Sequence, residues 1–562
     1  MIKNFNFRIQ FLSPFDFVQR RTFVVGSTYR VPYIVLVLVA PPTMTNTDQT
    51  YKSHEGEHHG NFNNDSSMRI TKSTVIFALC AALNSCNLGY DIGVSTHVGG
   101  LIQRDFGLTD VQRELFVGSL NFWSIFGSMF SFWICDVFGR RRSFQVAALN
   151  FIVGVVIMAT ASGFAVLMVG RFFLGIGVGF GLAIDPLYIA EISPAAHRGQ
   201  LVTWSEMAIN VGVVLGFLSG IVFYEVDDNL EWRLMFGMGC ILPVILIVVS
   251  QVVMAESPRW LVSKGRHEEA KAILRKIYPE DFDINPVAQD IKEGLERERI
   301  AEDAVGWTMI FFPTPAIRRM LIVGVGIAMA QQAVGIDAIQ YYLLDVLQES
   351  GIQSEKVQLA VLILLGVLKL VFVVVGSKLL DNRGRKKLLF VSLLGMCGAC
   401  VLTSFSFIGG NQPAFVIVGL SLYLSFFSVG MGPVAWLIPS EIFPTSIRAK
   451  AMSIATFSNR IIATLMASTF LSTSKVIGWG PFFLMLAGVC VVVFAFVYLL
   501  LPETKGRSLE DMSIYFAEIT GDNDMLEAEK QIIAGRERNS AVEMTDVATR
   551  MSGATRMSGE LT

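Results

Sequence analysis

The chain has 562 residues, 52% of them hydrophobic and 16% charged, with a formal net charge of −2. Soluble domains carry about 25% charged residues, so the composition excludes an ordinary soluble globule. The near-neutral balance excludes a protein held to nucleic acid by its overall charge.

Residues 1–72 are expected to form a disordered cytosolic leader. Within it, residues 31–40 are apolar, too short to span a bilayer, preceded by Arg20, Arg21 and Arg30 and ended by Pro41-Pro42. That pattern fits the h-region of a targeting signal. It fits equally an upstream extension ahead of Met44, which opens an ordinary polar leader. Residues 45–72 are rich in Asn, His, Ser and Asp and have too little apolar surface to fold. The sequon at Asn64 falls on the cytosolic side of the topology below and is discounted.

Six apolar runs follow, at about 74–97, 114–135, 143–162, 166–190, 200–223 and 233–254. Each has the length of a membrane-crossing helix, and together they make an N-terminal half over 73–254. Residues 255–315 form a charged linker with helical stretches at 267–278 and 287–300. Six more runs, at about 316–345, 357–380, 387–408, 413–438, 451–473 and 481–501, make a C-terminal half over 316–501. The polar tail 502–562 ends in a repeated hexapeptide, ATRMSG at 548–553 and 554–559, and is expected to be disordered.

Polar residues interrupt these runs at a few points. Asp91 lies deep in the first run and Arg171 near the start of the fourth, where an unpaired charge is costly. The seventh run contains QQAVGIDAIQYY at 331–342. As a helix this stretch puts Gln332, Ile336 and Ile339 on one side and Gln331, Gly335 and Tyr342 on or near another. Its polar groups either hydrogen-bond neighbouring helices or line a site for a hydroxyl-rich solute. In the tenth run Trp436 follows Gly432-Pro433, read as a helix break that lets the ring pivot over that site.

Lys and Arg set the expected orientation. Arg140 to Arg142, Arg198, Arg259 to Arg266, Arg383 to Lys387, Arg448 to Lys450 and Lys505 to Arg507 all fall on one side of a twelve-helix count, which the positive-inside rule makes cytosolic together with both termini. These loops also repeat. Asp136-Val-Phe-Gly139-Arg140-Arg141 returns as Asp381-Asn-Arg-Gly384-Arg385-Lys386, Glu191-Ile-Ser-Pro194 with Arg198 as Glu441-Ile-Phe-Pro444 with Arg448, and Glu256-Ser-Pro-Arg259 as Glu503-Thr-Lys505. The nearly constant offset implies two homologous six-helix halves related by an axis along the membrane normal, with substrate between them near the midplane.

The loop motifs, with Glu256 to Trp260 (ESPRW), Pro502 to Gly506 (PETKG) and the QQ-x-x-GI of the seventh run, resemble the sugar porter branch of the major facilitator superfamily over about 73–515. The resemblance implies an all-α membrane protein of twelve transmembrane helices. It also implies cytosolic gating groups at Asp136, Arg140, Arg141, Glu191, Arg198, Glu256, Arg259, Asp381, Arg385, Glu441, Arg448 and Glu503, where Arg–carboxylate pairs latch the halves. Tyr90-Asp91-Ile-Gly, Gly335-Ile-Asp337 and Phe427-Ser428-Val-Gly are similar to plant polyol transporters and their relatives, which are proton symporters. Asp91 and Arg171 are then the expected proton-coupling pair. Glu206, Asp337, Lys369 and Arg460 stand where hexose carriers usually have neutral residues. They join Gln331, Gln332, Tyr342, Trp436 and Asn459 as expected substrate contacts, with Asp337 expected to pair with Lys369, and Glu206 with Arg460 or with substrate hydroxyls. Two further departures are His97, where a small residue is usual, and Asp185, which reads either as a second titrating group or as a capped carboxylate at a helix end, the latter being favoured.

Other features are read as packing. Gly175, Gly177, Gly179 and Gly181 lie in an apolar helix with no preceding strand, so small-residue helix contact outweighs a phosphate loop. Cys397-x-x-Cys400 lies in an apolar run without a second ligand pair. No Ser-His-Asp set, metal-ligand spacing or Walker motif is present, so no enzyme, cofactor or metal is expected. The expected function is proton-coupled symport of linear polyols, inositol or monosaccharides by a monomer in the plasma membrane. A facilitative hexose uniporter is the alternative, and a transporter-like nutrient receptor a more distant one.

Overall fold

The computed structural model describes residues 70–530, apart from 195–196, 281, 306, 411, 445 and 528 and the side chains of 297–298, 301–306 and 381–382. The leader with its sequon and apolar stretch, and the ATRMSG repeat, lie outside the described residues. Twelve helices are long and apolar enough to cross a membrane. They are α1 (Lys72–Phe106), α2 (Asp110–Phe138), α3 (Arg140–Ala159), α4 (Phe164–Ile192), α5 (Arg198–Phe223), α6 (Asp228–Val252), α7 (Pro315–Tyr341), α8 (Glu355–Leu380), α9 (Arg385–Ile408), α10 (Pro413–Ile442), α11 (Arg448–Ile477) and α12 (Trp479–Leu500). Among the described residues there is no strand. The linker contributes short helices, including His267–Ile277 and Asn285–Val305, and the tail one at Leu509–Thr520.

Local chemistry explains the ends of these helices. Thr71 accepts from the Thr74 amide to cap α1, and Thr109 with Gln112 forms a capping box on α2. The turns into α3 and α9 each need glycine. Gly139 and Gly384 have φ of 89° and 85°, a region strained for residues with a Cβ. A Cβ there would also meet Glu256 Oε2 at 2.4 Å and Glu503 Oε2 at 2.9 Å.

Close packing sets the spacing of the N-terminal half. A Cβ on Gly212 of α5 would sit 2.1 Å from the Cys86 carbonyl oxygen of α1, and one on Gly179 of α4 would sit 2.1 Å from the Ser124 carbonyl oxygen of α2. The glycine-rich run of α4 is therefore a helix–helix contact surface, in keeping with its sequence pattern. Large apolar side chains remain on the outside, Trp133 at 65% and Val252 at 79% exposed among them. Lipid is the natural solvent for that surface.

Three spans are broken. α6 is interrupted at Gly239 and Cys240, between Asp228–Met238 and Ile241–Val252. α7 stops at Ala333, passes through Gly335 at φ 92° and restarts as Ile336–Tyr341. α10 is interrupted at Gly430, two residues before the Gly432-Pro433 that the sequence suggested. Pro433 lies in the first turn of the restarted helix, where its missing N–H costs nothing.

The halves meet where α2 packs on α11, α5 on α8 and α1 on α7. At the end remote from the basic loops this seam is closed by side chains. Arg113 of α2 makes two 2.7 Å hydrogen bonds to Asp345 in the helix Leu343–Glu349. Glu114 accepts from the amide and hydroxyl of Ser472, and Lys475 reaches Asp110 at 2.7 Å. At the end carrying the basic loops, the facing stretch 202–209 of α5 keeps partial exposure.

Candidate functional site

Two groups of polar side chains occupy the interior of the bundle. In the N-terminal half, Asp91 of α1 accepts from Arg171 Nη1 of α4 at 3.0 and 2.9 Å. Arg171 also donates to Ser95 Oγ at 2.7 Å, and its guanidinium lies 4.0 Å from the centre of the Phe116 ring. Arg171 is fully buried and Asp91 is 4% exposed. Each charge is thus held in apolar surroundings by the other, the arrangement such groups need at membrane depth.

The second group lies between the halves around Arg460 of α11. Arg460 donates through Nε and Nη2 to Asn459 Oδ1, at 3.0 and 2.6 Å, and through Nη1 to Asn121 Oδ1 of α2 at 3.1 Å. Asp337, in the first turn after the α7 break, approaches Arg460 Nη1 at 3.9 Å. Gln332 fits between them with its amide nitrogen 3.3 Å from Asp337 and its oxygen 3.3 Å from Arg460 Nη2. Lys369 of α8 donates to Gln340 Oε1 at 3.0 Å, with the Phe427 ring centre 5.9 Å away. Glu206 lies on α5, half-buried.

These contacts re-pair the expected charges. Asp337 was expected to partner Lys369, and Glu206 to partner Arg460 or substrate hydroxyls. Instead the short helix after Gly335 turns Asp337 toward α11, and Lys369 takes Gln340 from the next turn of the same helix. Gln331 is committed to the scaffold: it donates to the Gly432 carbonyl oxygen at 3.0 Å and accepts from Asn459 Nδ2 at 2.9 Å. Asn459 also donates to the Ala328 carbonyl oxygen at 2.7 Å. Neither is a free donor for a solute, as the spacing had suggested for Gln331. Tyr342 is apart from this group, stacked on Phe470 with ring centres 5.2 Å apart and donating to the Ala467 carbonyl oxygen. It belongs to the closed seam, beneath Arg113. Trp436 is half-buried on the restarted segment of α10.

Sequence reasoning missed Asn121 and Gln340 in the centre and Arg113, Glu114 and Asp345 at the seam. Gln340 stands inside the polar stretch of the seventh run, and Arg113-Glu114 is a charged pair at the mouth of an apolar run. Those were the available signals. Asn121 had none beyond being polar among phenylalanines.

At the basic end each half carries its own cage. Arg140 makes a bidentate pair with Glu191, at 2.9 and 2.8 Å, while Glu256 accepts from the Arg140 amide at 2.8 Å and the Arg141 amide at 3.2 Å. Asp136 is largely exposed, 3.7 Å from Arg140. Burial pushes the Glu256 carboxyl above the usual carboxylate range, against the pull of the backbone N–H groups of Ser257, Arg140 and Arg141. In the second half Arg385 pairs with Glu441 at 2.8 Å, and Glu503 accepts from the Arg385 and Lys386 amides at 2.9 and 3.2 Å. The repeat read from sequence is thus a structural repeat. Each cage lies within its own half, though, and the seam contacts Arg113–Asp345, Glu114–Ser472 and Asp110–Lys475, which cross between halves, sit at the opposite end. Arg198 is exposed, Arg259 half-buried, and Arg448 donates to the Phe443 carbonyl oxygen at 3.2 Å. The side chain of Asp381 lies outside the described residues.

Two six-helix halves with repeated Arg–Glu cages, and a polar centre shared by broken helices of both, define a multi-pass membrane transporter of the major facilitator fold. A family model described as "Sugar (and other) transporter" matches residues 77–516. The chain is 40% identical over 452 residues to "Probable polyol transporter 4" of Arabidopsis thaliana, covering 80% of this chain and 86% of that one. It is 31% identical to "Probable inositol transporter 2" of the same plant, covering 77% and 90%. Among solved structures it is similar to the proton:xylose symporter XylE bound to 6-bromo-6-deoxy-D-glucose, with TM-score 0.68, 27% identity and coverage of 79% and 99%. The inward-open form of XylE from E. coli gives TM-score 0.69 at 27% identity, with coverage of 79% and 99%. The chain belongs to the sugar porter family of the major facilitator superfamily. It is a sugar transporter with polyol transporters among its relatives, and not an enzyme.

Proposed function

We propose that the protein is a proton-coupled symporter of polyols and monosaccharides that works by alternating access, as a monomer in the plasma membrane, with both termini cytosolic. The proton gradient is its driving force, and no cofactor takes part. The observation that carries the reading is the fully enclosed Asp91–Arg171 pair beside a separate, partly accessible polar centre. One element can load a proton while the other binds solute. The centre suits a hydroxyl-rich solute, because Asp337 and Glu206 each offer two acceptor oxygens and Lys369 and Arg460 offer donors. The closed seam at Arg113–Asp345 and the partial exposure along α5 support an inward-facing state. The proton:xylose symporter among the structural relatives supports coupling, and the curated polyol transporters support the substrate class.

The test is uptake of labelled polyols, inositol and hexoses into transport-deficient cells with and without a protonophore. Accumulation above the external concentration that collapses with the gradient is expected. Uptake that only equilibrates and ignores the protonophore would establish a uniporter, and no uptake of any of them would leave the receptor reading. A protease site placed within 262–300 or in the tail is expected to be cut only from the cytosol; cleavage from outside would reverse the orientation. Trp436→Ala is expected to raise the apparent KM several-fold with little change in maximal rate, since an aromatic face suits the C–H face of a sugar or polyol. An unchanged KM would assign the ring to packing.

A further inference from the structure

Sequence alone reads Asp185 as a second titrating group or, by preference, a capped carboxylate at a helix end. The structure places it inside α4, which continues through Pro186 to Ile192, and only 1% of its surface is exposed. Asn84 Nδ2 of α1 donates to its Oδ1 at 2.9 Å, and the Ser85 hydroxyl donates to its Oδ2. Room for that contact comes from Gly181, one turn before Asp185, where a Cβ would lie 2.6 Å from Asn84 Nδ2. The site is therefore built: two neutral donors and a glycine frame a single enclosed carboxyl group.

No cation is paired with it among the described residues. Its hydrogen-bond partners are Ser85 and Asn84, and among the described residues no ion pair joins it to a charged side chain of α1, α2, α3, α5 or the helix Pro258–Ser263, which pack on α4. The next titratable groups along its two helices are otherwise placed. Tyr188 donates to the Ala255 carbonyl oxygen, and Cys80 lies one turn before Asn84. An enclosed carboxylate without a counter-ion is expensive, and such a group takes up a proton instead. Asp91 differs, because Arg171 neutralises it.

Asn84 and Asn87 lie between the two carboxyl groups along α1. Residues 84, 87 and 91 share one face of α1, and the span from Asn84 to Asp91 is about 10 Å along the helix. Asn84 Oδ1 and both amide atoms of Asn87 are buried with no hydrogen-bond partner in the structure. Unengaged buried amide groups cost stability, and here they lie between two acids. Asp185 is the nearer of the two to the basic end of the bundle, seven residues before the end of α4.

We propose that Asp185 is a second proton-binding carboxyl group, distinct from the Asp91–Arg171 pair and separated from it along α1 by Asn84 and Asn87. It releases its proton at the basic end and, once ionised, takes the next one from Asp91 as the Arg171 pair re-forms. The release step rests on the symport reading; proton binding by Asp185 does not. Asn84 turns its N–H toward the carboxyl group, the orientation that serves an acid or carboxylate and opposes a metal cation.

The test uses full-length protein reconstituted in lipid vesicles and infrared spectroscopy of the carboxyl C=O stretch. A protonated-carboxyl band at neutral pH is expected, lost in Asp185→Asn and retained in Asp91→Asn. Ser85→Ala keeps the carboxyl group but removes a partner, so it is expected to shift the band without abolishing it, which guards against a misfolded Asp185→Asn. In transport, Asp185→Asn is expected to keep exchange of labelled substrate and to flatten the pH dependence of net uptake. A band unaffected by Asp185→Asn overturns the proposal, as does a band that responds to Na+ at fixed pH. A wild-type pH profile in Asp185→Asn overturns the release step. If wild-type uptake ignores the proton gradient, the symport reading fails, and the band alone still decides whether Asp185 holds a proton.

Discussion

Asp91→Asn is expected to reduce substrate accumulation to equilibration while exchange across the membrane continues. The substitution keeps shape and one acceptor oxygen but removes the charge, and the second acceptor, that Arg171 Nη1 contacts at 3.0 and 2.9 Å. Arg171 is fully buried, and removing one partner of a buried pair leaves the other uncompensated, at a cost of about 3–5 kcal/mol. Part of that cost is met by Ser95, which already accepts from Nη2 at 2.7 Å. The protein should therefore still fold and still bind solute, yet have no group at this position that can release Arg171 by taking a proton. Uptake with an imposed proton gradient, set beside exchange with no gradient, is the measurement. Continued accumulation in Asp91→Asn would make the pair purely structural.

Arg113→Leu is expected to open the end remote from the basic loops. Asp345 holds Arg113 by two 2.7 Å hydrogen bonds, and Arg113 is 5% exposed over the Tyr342 ring. Bidentate, charge-assisted pairs of this kind are the strong ones. They stabilise only the state in which the halves meet at this end. Losing about 3 kcal/mol of bias would move the balance between states more than a hundredfold, at tenfold per 1.4 kcal/mol. A cysteine at Val346, fully buried beside the seam, reports it in a cysteine-less background. Its labelling by an impermeant maleimide should rise sharply in Arg113→Leu and fall back when Arg113→Asp is combined with Asp345→Arg. Equal labelling in all three would show that Glu114–Ser472 and Asp110–Lys475 suffice to keep the seam closed.

Much of the architecture was legible because it rests on local pattern. Twelve apolar runs separated by basic loops need only hydropathy and bilayer thickness to be read as spans. The loop motifs repeat in sequence because each half builds the same cage, in which Gly139 or Gly384 leaves room for a carboxylate over the start of α3 or α9. The Asp91–Arg171 pairing was legible for a similar reason. Asp91 is the acid buried in the middle of its span and Arg171 the base buried in its own, and burial forces such groups together.

What remained undecided involved choices among comparable partners. Asp337, Glu206, Lys369 and Arg460 are two acids and two bases on four helices, and charge balance is satisfied by either pairing. Only the left-handed turn at Gly335, which aims Asp337 at Arg460 and leaves Gln340 for Lys369, selects one. Asp185 before Pro186 reads as a helix end, because the residue before proline is biased away from helical geometry. In the folded protein α4 runs on, and packing against α1 turns that carboxyl group into an enclosed site with Asn84 and Ser85. The chain by itself determined the spans, the two-fold repeat and the motifs of the two cages, since each is legible as a local pattern repeated along the sequence. Which charges meet, and at which end the halves are joined, was decided by tertiary structure alone, since those contacts join residues that only helix packing brings together.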